Sequence, residues 1–181
     1  MEIVEIYELA GICALPINPL DAAKVLGIKV VSYETMCGYY RMNRDSLYQK
    51  SIYGFCFSEC NRFIIAVNEN SCGERRRRFT VAHELGHCVL GHLDGTKNHL
   101  NDERDANRFA ADFLAPLCVL EQCGVCSAEE ISRLCGISVS AAGVRFAELK
   151  SGTFARDNRI TERFAGFISR YNESKLPHTN F

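Results

Sequence analysis

Phe79–Leu90 reads FTVAHELGHCVL. Within it His83, Glu84 and His87 stand in the spacing H-E-x-x-H. Each residue of an α-helix advances about 100°, so the two histidines stack on one face, one turn apart. Two imidazoles placed in this way can share one zinc ion, with Zn–N distances of roughly 2.0–2.1 Å. Glu84 sits about 100° round from His83. That puts its carboxylate beside the metal, where it can take a proton from a water the metal activates. The surrounding positions (Phe79, Val81, Ala82, Leu85, Cys88, Val89, Leu90) are apolar nearly all round, as in a buried helix. Buried histidines and a buried acid need polar partners. The competing reading is two core histidines and a surface glutamate on an ordinary helix.

A third ligand of the right type lies downstream. Asn101–Leu114 (NDERDANRFAADFL) reads as a second helix, with Asn101 as N-cap and Pro116 marking its end. Ala106, Phe109, Ala110, Phe113 and Leu117 follow the i, i+3, i+4, i+7 rule for one buried face. Extended one turn back, that stripe meets Glu103. Asp105 is about 200° from Glu103 and Asp112 about 180°, so both are expected to point to solvent. A carboxylate on the core face needs a positive partner, and zinc supplies one. The alternative for Glu103 is a first-turn acid serving the helix dipole. Ala106 and Ala110 are small enough to let this helix approach the first closely.

Upstream, Ser71-Cys72-Gly73-Glu74 fits a capping box. The histidine helix is therefore expected from about Cys72 to Leu90, with Gly91 as its stop. Arg75–Arg78 is the one strong charge run. It reads as a solvated face paired with nearby acids; the alternative is that one or two of these arginines hold a substrate chain or a loop. His92–Leu100 reads as a polar loop, with His99 a surface residue and His92 open between a surface role and oxyanion stabilisation. Tyr39 and Tyr40 are the other oxyanion candidates.

Residues 3–15 carry apolar side chains at helical intervals and end near Pro16. PLDAAKVLG suits a short helix capped near Gly27, and Ile28–Tyr33 a strand. Residues 34–51 are polar and mixed, compatible with a strand and a loop. Ser51–Ser58 and Arg62–Asn68 are strand-like runs close enough for a hairpin, and an open sheet edge beside the helix could hold an extended peptide. Ser127–Leu149 has the form of a helix-turn-helix, with Ser127 and Glu130 as a capping box and Gly136 at the turn. Its second helix offers almost no polar or basic side chain before Arg145, so a packing role is favoured over DNA reading. Residues 151–172 suit one more amphipathic helix, and the last ten a loose tail.

The 181 residues are 47% hydrophobic and 24% charged, with a net charge of −1. That balance suits a soluble globular protein of one domain, or one with a small appendage, and argues against a global field for nucleic acid or membrane. MEIVEIYELAGICALPINPL lacks the basic n-region of a secretory signal, and no apolar run approaches the roughly 20 residues that span a bilayer. A cytoplasmic protein is expected. The ten cysteines then read as reduced thiols, mostly small buried hydrophobes. Cys123-x-x-Cys126 has ligand spacing, but Cys56-x-x-x-Cys60 is a poor match for the second pair that a four-ligand site needs, and unligated thiols are the favoured reading.

RRFTVAHELGH followed by ERDANRFAADFLAP resembles the ImmA/IrrE family of zinc metallopeptidases. Their usual pattern is a His-Glu-Leu-Gly-His helix and then E-x-x-A-N-x-F-A-A-E-L-L-M-P. The resemblance covers about residues 62–117, with looser likeness in LGIKVV and SRLCGISVSAAGVRF. It departs at Asp112, Phe113 and Ala115, none of them a proposed ligand. It implies His83, His87 and Glu103 as gluzincin-like ligands and Glu84 as the catalytic acid/base. It also implies a site-specific endopeptidase that cleaves a helix-turn-helix repressor, often encoded on mobile elements or in stress-response loci.

The expected fold is α+β: a zincin-like metallopeptidase core over residues 1–118, then a helix-turn-helix-like bundle and tail over 119–181. Zn²⁺ is the expected cofactor and a protein the expected substrate, with neither direct DNA binding nor a membrane. Two other classes stay open. One is a non-catalytic regulator with a structural zinc site that binds DNA or protein. The other is a metal-dependent hydrolase of a non-protein substrate.

Overall fold

The hairpin sets the geometry of everything that follows. In the computed structural model, which describes residues 1–71, 73–92 and 99–176, strands β2 (Gly54–Glu59) and β3 (Arg62–Val67) pair antiparallel, Gly54 against Val67 and Glu59 against Arg62. Cys60 and Asn61 turn the chain at φ 48° and 58°, the doubly left-handed geometry that matches strand twist in a two-residue hairpin. Strand β1 (Lys29–Ser32) adds in parallel on the other side of β3, giving the order β1-β3-β2. β3 is central, and its apolar run is buried on both faces. Ile65 and Val67 join the larger core, while Ile64 and Ala66 pack with Val31, Tyr33, Met36 and Leu47.

The helices are α1 (Ile3–Ala10), α2 (Pro19–Val25), α3 (Tyr33–Gly38), α4 (Arg44–Lys50), α5 (Glu74–Leu90), α6 (His99–Leu114), α7 (Leu117–Gln122), α8 (Ala128–Cys135), α9 (Val139–Ser151), α10 (Asn158–Arg163) and α11 (Ala165–Lys175). The fold is thus α+β, a small three-stranded sheet among many helices.

Several local expectations change. Residues 34–51 form two helices rather than a strand and loop, because Ser32 and Asn43 cap them by accepting from the backbone N–H groups of Thr35 and Asp45. The first helix stops at Ala10, where Gly11 turns left-handed at φ 68°. Gly73, not Ser71, is the N-cap of α5, and Ser71 Oγ instead donates to the Asn68 carbonyl at 3.0 Å; the reading of Cys72 lies outside the described residues. α6 begins at His99, so Asn101 is inside it. Residues 93–98 and the His99 side chain are likewise not described. The single helix expected over 151–172 is two, meeting at Phe164. That ring is buried against Tyr7 of α1, with centroids 5.5 Å apart. α11 runs on to Lys175, through the first residues of the expected tail. Four of the nine described cysteines are buried, fewer than a mainly core role would place there.

One apolar cluster runs from Ile6 and Tyr7 through Val81, Leu85 and Phe113 to Ile131, Ala142 and Phe164. Arginines knit its polar seams. Arg78 is not a solvated cation; it donates to the carbonyls of Ile17, Cys135 and Gly136. Arg75 donates to Ser132 Oγ at 3.0 Å. Arg145, only 3% exposed, donates to the Ala115 carbonyl and pairs with Asp112 at 2.9 Å and Glu148 at 2.6 Å. Asp112 therefore faces α9 and not open solvent. Removing Arg145 leaves the Ala115 carbonyl without its partner, while Asp112 and Glu148 keep Arg108. Arg145→Ala should therefore cost about 1–3 kcal/mol in urea unfolding; a loss below about 0.5 kcal/mol would reduce the guanidinium to a surface ion pair.

Candidate metal centre

α5 lies between the sheet and α6, and two glycines set how near each neighbour comes. A Cβ at Gly86 would stand 3.0 Å from Phe109 Cδ1 and 3.3 Å from Ala106 Cα. The two helices meet closely there, as Ala106 on the second predicted; Gly86 on the first makes the other half of the contact. A Cβ at Gly54 would stand 2.7 Å from Thr80 Cγ2 and 2.8 Å from the Ala66 carbonyl oxygen, so β2 presses equally close on the other side of α5.

These approaches converge three side chains. His83 Nε2 and His87 Nε2 are 3.1 Å apart. Glu103, one turn before Ala106–Asn107 on α6, turns inward as its helical phase requires, with Oε2 3.4 Å from His83 Nε2 and Oε1 3.3 Å from His87 Nε2. Together His83, His87 and Glu103 offer donor atoms all within 4.8 Å of one another and could hold a metal ion. Asp105 is exposed, as its phase predicts.

The far sides of both rings are also held. His83 Nδ1 lies 3.1 Å from Asn107 Oδ1, an acceptor, so Nδ1 carries the proton and Nε2 offers a lone pair. His87 Nδ1 lies 3.0 Å from His92 Nδ1, and His92 Nε2 faces Asp102 Oδ1 at 3.8 Å. The carboxylate favours the proton on His92 Nε2. His92 Nδ1 is then free to accept from His87 Nδ1–H, which again leaves the His87 Nε2 lone pair pointing at the cluster. Burial pushes the His87 ring down to about 4, helped by neighbouring His83, and burial lowers His83 as well. Both are neutral at pH 7, the form that binds metal.

Glu84 is buried and stands apart from this triangle. Burial pushes its carboxyl up to about 7, while hydrogen bonds from the Cys56 thiol and backbone pull the other way. The Cys56 thiol is itself raised, first by its hydrogen bond with Cys88 and then by burial, and stays protonated. All four groups open on a cleft of about 480 Å³ whose walls include Tyr53, Phe55, Cys56, Arg76 and Phe79. A carboxyl poised near neutrality beside a triangle that could hold a metal can hold or release a proton at working pH.

Of the oxyanion candidates, Tyr39 and Tyr40 do not line this cleft. Tyr39 is 77% exposed, and both rings sit by Lys29 at the β1 edge. His92 does line it, but its Nδ1 is turned to His87. From the sequence, Asn107 and Asp102 are not singled out, and Cys56 figures only as a poorly spaced ligand partner of Cys60. Asn107 lies one turn after Glu103 and shares its face, which a helical-phase reading can find. The other two depend on how separate elements meet.

His92→Ala should weaken zinc binding about 10–100-fold in competition with a chromophoric chelator; unchanged affinity would mean the Nδ1 contact does not orient His87. Glu84 makes a second prediction. Its folded pKa of about 7 lies above the usual 4.5, so its contribution is fully present below pH 4.5 and lost as pH rises through 7. In chelator-treated protein, Glu84→Gln should raise stability by about 2–3 kcal/mol at pH 8 and leave it unchanged at pH 4. Equal effects at both pH values would sink this reading.

A comparison with curated proteins finds no match. The family model described as the IrrE N-terminal-like domain, Peptidase_M78, matches residues 23–147, a span that contains both the histidine helix and Glu103. The chain belongs to the M78 peptidase family.

Proposed function

We propose that this protein is a zinc-dependent endopeptidase, cytoplasmic, that makes a specific cut in a helix-turn-helix transcriptional repressor, in the regulation of a mobile element or a stress response. Its core is read as zincin-like. The observation that carries the peptidase reading is the spacing of the donor atoms. A tetrahedron with arms of roughly 2.0–2.1 Å has edges of about 3.3–3.4 Å; the two ring nitrogens are 3.1 Å apart, and the Glu103 carboxylate straddles them, Oε1 3.3 Å from His87 and Oε2 3.4 Å from His83. Two neutral imidazoles and one carboxylate suit zinc in charge and softness.

When bound there, zinc would polarise the scissile carbonyl and lower the pKa of a water to about 7. The chain supplies the rest. His83, His87 and Glu103 would hold the ion, with Asn107 and His92 fixing the ring tautomers. Glu84 would take the proton from the attacking water and pass it to the leaving amine. Cys56 holds the Glu84 carboxylate in place through its thiol and backbone. β2 is an edge strand beside the cleft, which supports an extended substrate paired along it.

Three protein ligands opening on a cleft favour a catalytic site over a structural one, which is usually closed by four. The burial of Arg145 removes the first cation of α9 from any DNA-facing surface, which supports a packing role for this bundle. Among the described residues no helix is long and apolar enough to cross a membrane. The choice of a repressor as substrate rests on the family likeness.

The test is co-expression with a repressor encoded beside it, scored for one discrete, zinc-dependent cut. Glu84→Gln should retain zinc and lose cleavage by at least about a hundredfold, and Glu103→Ala should lose zinc affinity. Cleavage at the normal rate by Glu84→Gln would remove Glu84 as the base, and unchanged zinc affinity in Glu103→Ala would point to another ligand.

A further inference from the structure

The cleft wall carries two cations that the proposed chemistry does not use. Arg76, at the start of α5, lies with its guanidinium carbon 4.9 Å from the centroid of Tyr53. Lys50, at the end of α4, holds Nζ 5.0 Å from the centroid of Phe55. Tyr53 and Phe55 flank Gly54, where β2 presses against α5, and all four side chains line the cleft. Among the described residues neither cation is paired with a carboxylate, whereas Arg108, Arg145, Arg156 and Arg159 all are.

The acids within the same cleft are committed elsewhere. Glu103 faces the two histidines, Asp102 faces His92, and Glu84 is tied to Cys56. Among the described residues Arg76 and Lys50 therefore remain as positive charge in the cleft wall that no carboxylate answers. Each is braced on a ring face, so little side-chain freedom is lost when a carboxylate arrives. Arg76 and Phe79 also form the wall of an adjoining hollow of about 370 Å³. Its floor includes Ile137, Ala141 and Val144, the last 62% exposed.

We infer that the cleft selects a peptide segment bearing an acidic side chain next to the scissile bond, bound by Arg76 and Lys50, with an apolar side chain close to it in sequence seated in the adjoining hollow. This deepens the peptidase reading and rests on it. The charge sets which segment enters, and the hollow sets its register over the metal centre. Electrostatic selection of this kind weakens with salt, whereas apolar seating does not.

The experiment separates recognition from cleavage. Zinc-loaded Glu84→Gln protein is titrated into fluorescein-labelled decapeptides of one sequence whose centre is Glu-Leu, Gln-Leu, Lys-Leu or Glu-Ser, read by anisotropy at two salt concentrations. Glu-Leu should bind about tenfold more tightly than Gln-Leu, with Lys-Leu and Glu-Ser weaker still than Glu-Leu. Arg76→Gln with Lys50→Gln should erase the Glu-over-Gln preference without moving the melting temperature, and Arg76→Glu with Lys50→Glu should turn it toward Lys-Leu. Equal binding of the Glu-Leu and Gln-Leu peptides, or a preference that survives both double variants, overturns the inference. Wild-type protein with zinc is run on the same peptides. Cleavage indifferent to the acidic residue overturns the inference and keeps the peptidase reading; acid-selective binding with none of the peptides cut keeps the inference's recognition step and counts against the peptidase reading.

Discussion

Everything at the centre depends on two helices touching where a methyl group would fit only if a neighbour gave way. Gly86 meets Ala106 and Phe109 so closely that an added Cβ would crowd both. That contact sets Glu103 within 3.3–3.4 Å of the two imidazoles. A wider interface filled with ordinary side chains would hold the same three residues and the same fold class, yet leave the carboxylate out of reach. Close packing is the precondition of the cluster, because helices change separation in steps the size of a side chain.

Burial then gives the groups different protonation habits. His83 and His87 are discouraged from charging and are left as neutral donors, while Glu84 is discouraged from losing its proton. Environments that keep imidazoles neutral and bring a carboxyl near neutrality are what metal binding and proton transfer require of their respective partners. Behind the rings, Asn107 and the His92–Asp102 pair decide which nitrogen faces forward. A face that could hold a metal is thus specified from its back.

The C-terminal helices brace the cleft from outside and wall the hollow beside it. Arg75 and Arg78 on α5 reach Ser132, Cys135 and Gly136, and Arg145 on α9 reaches Ala115 just past α6. Both helices that carry the candidate ligands are tied by arginine to α8, α9 or the turn between them. The hollow beside the cleft is walled by α5 on one side and by the start of α9 on the other. Arg75–Arg78, four like charges in sequence, end in different surroundings. Two bind α8 and the turn after it, and one stacks on Tyr53 at the cleft.

The sequence by itself determined the pieces whose information is local. Spacing by four places two histidines on one face. The apolar stripe of α6 gives Glu103 its inward phase, and paired apolar runs give the hairpin. Helical and strand periods are properties of a short stretch of chain, so they survive without knowledge of neighbours. The capping of α3 and α4, hidden in a mixed polar stretch, shows how easily such signals are lost when the apolar pattern is weak. Tertiary structure alone decided the partners: His92 turned to His87 rather than to an oxyanion, Tyr39 and Tyr40 placed away from the cleft, Cys56 brought to Glu84, Asp112 drawn to Arg145. Each joins side chains from different elements or across a helix boundary. Their distance is set by how layers stack, and no periodicity within one segment encodes that separation.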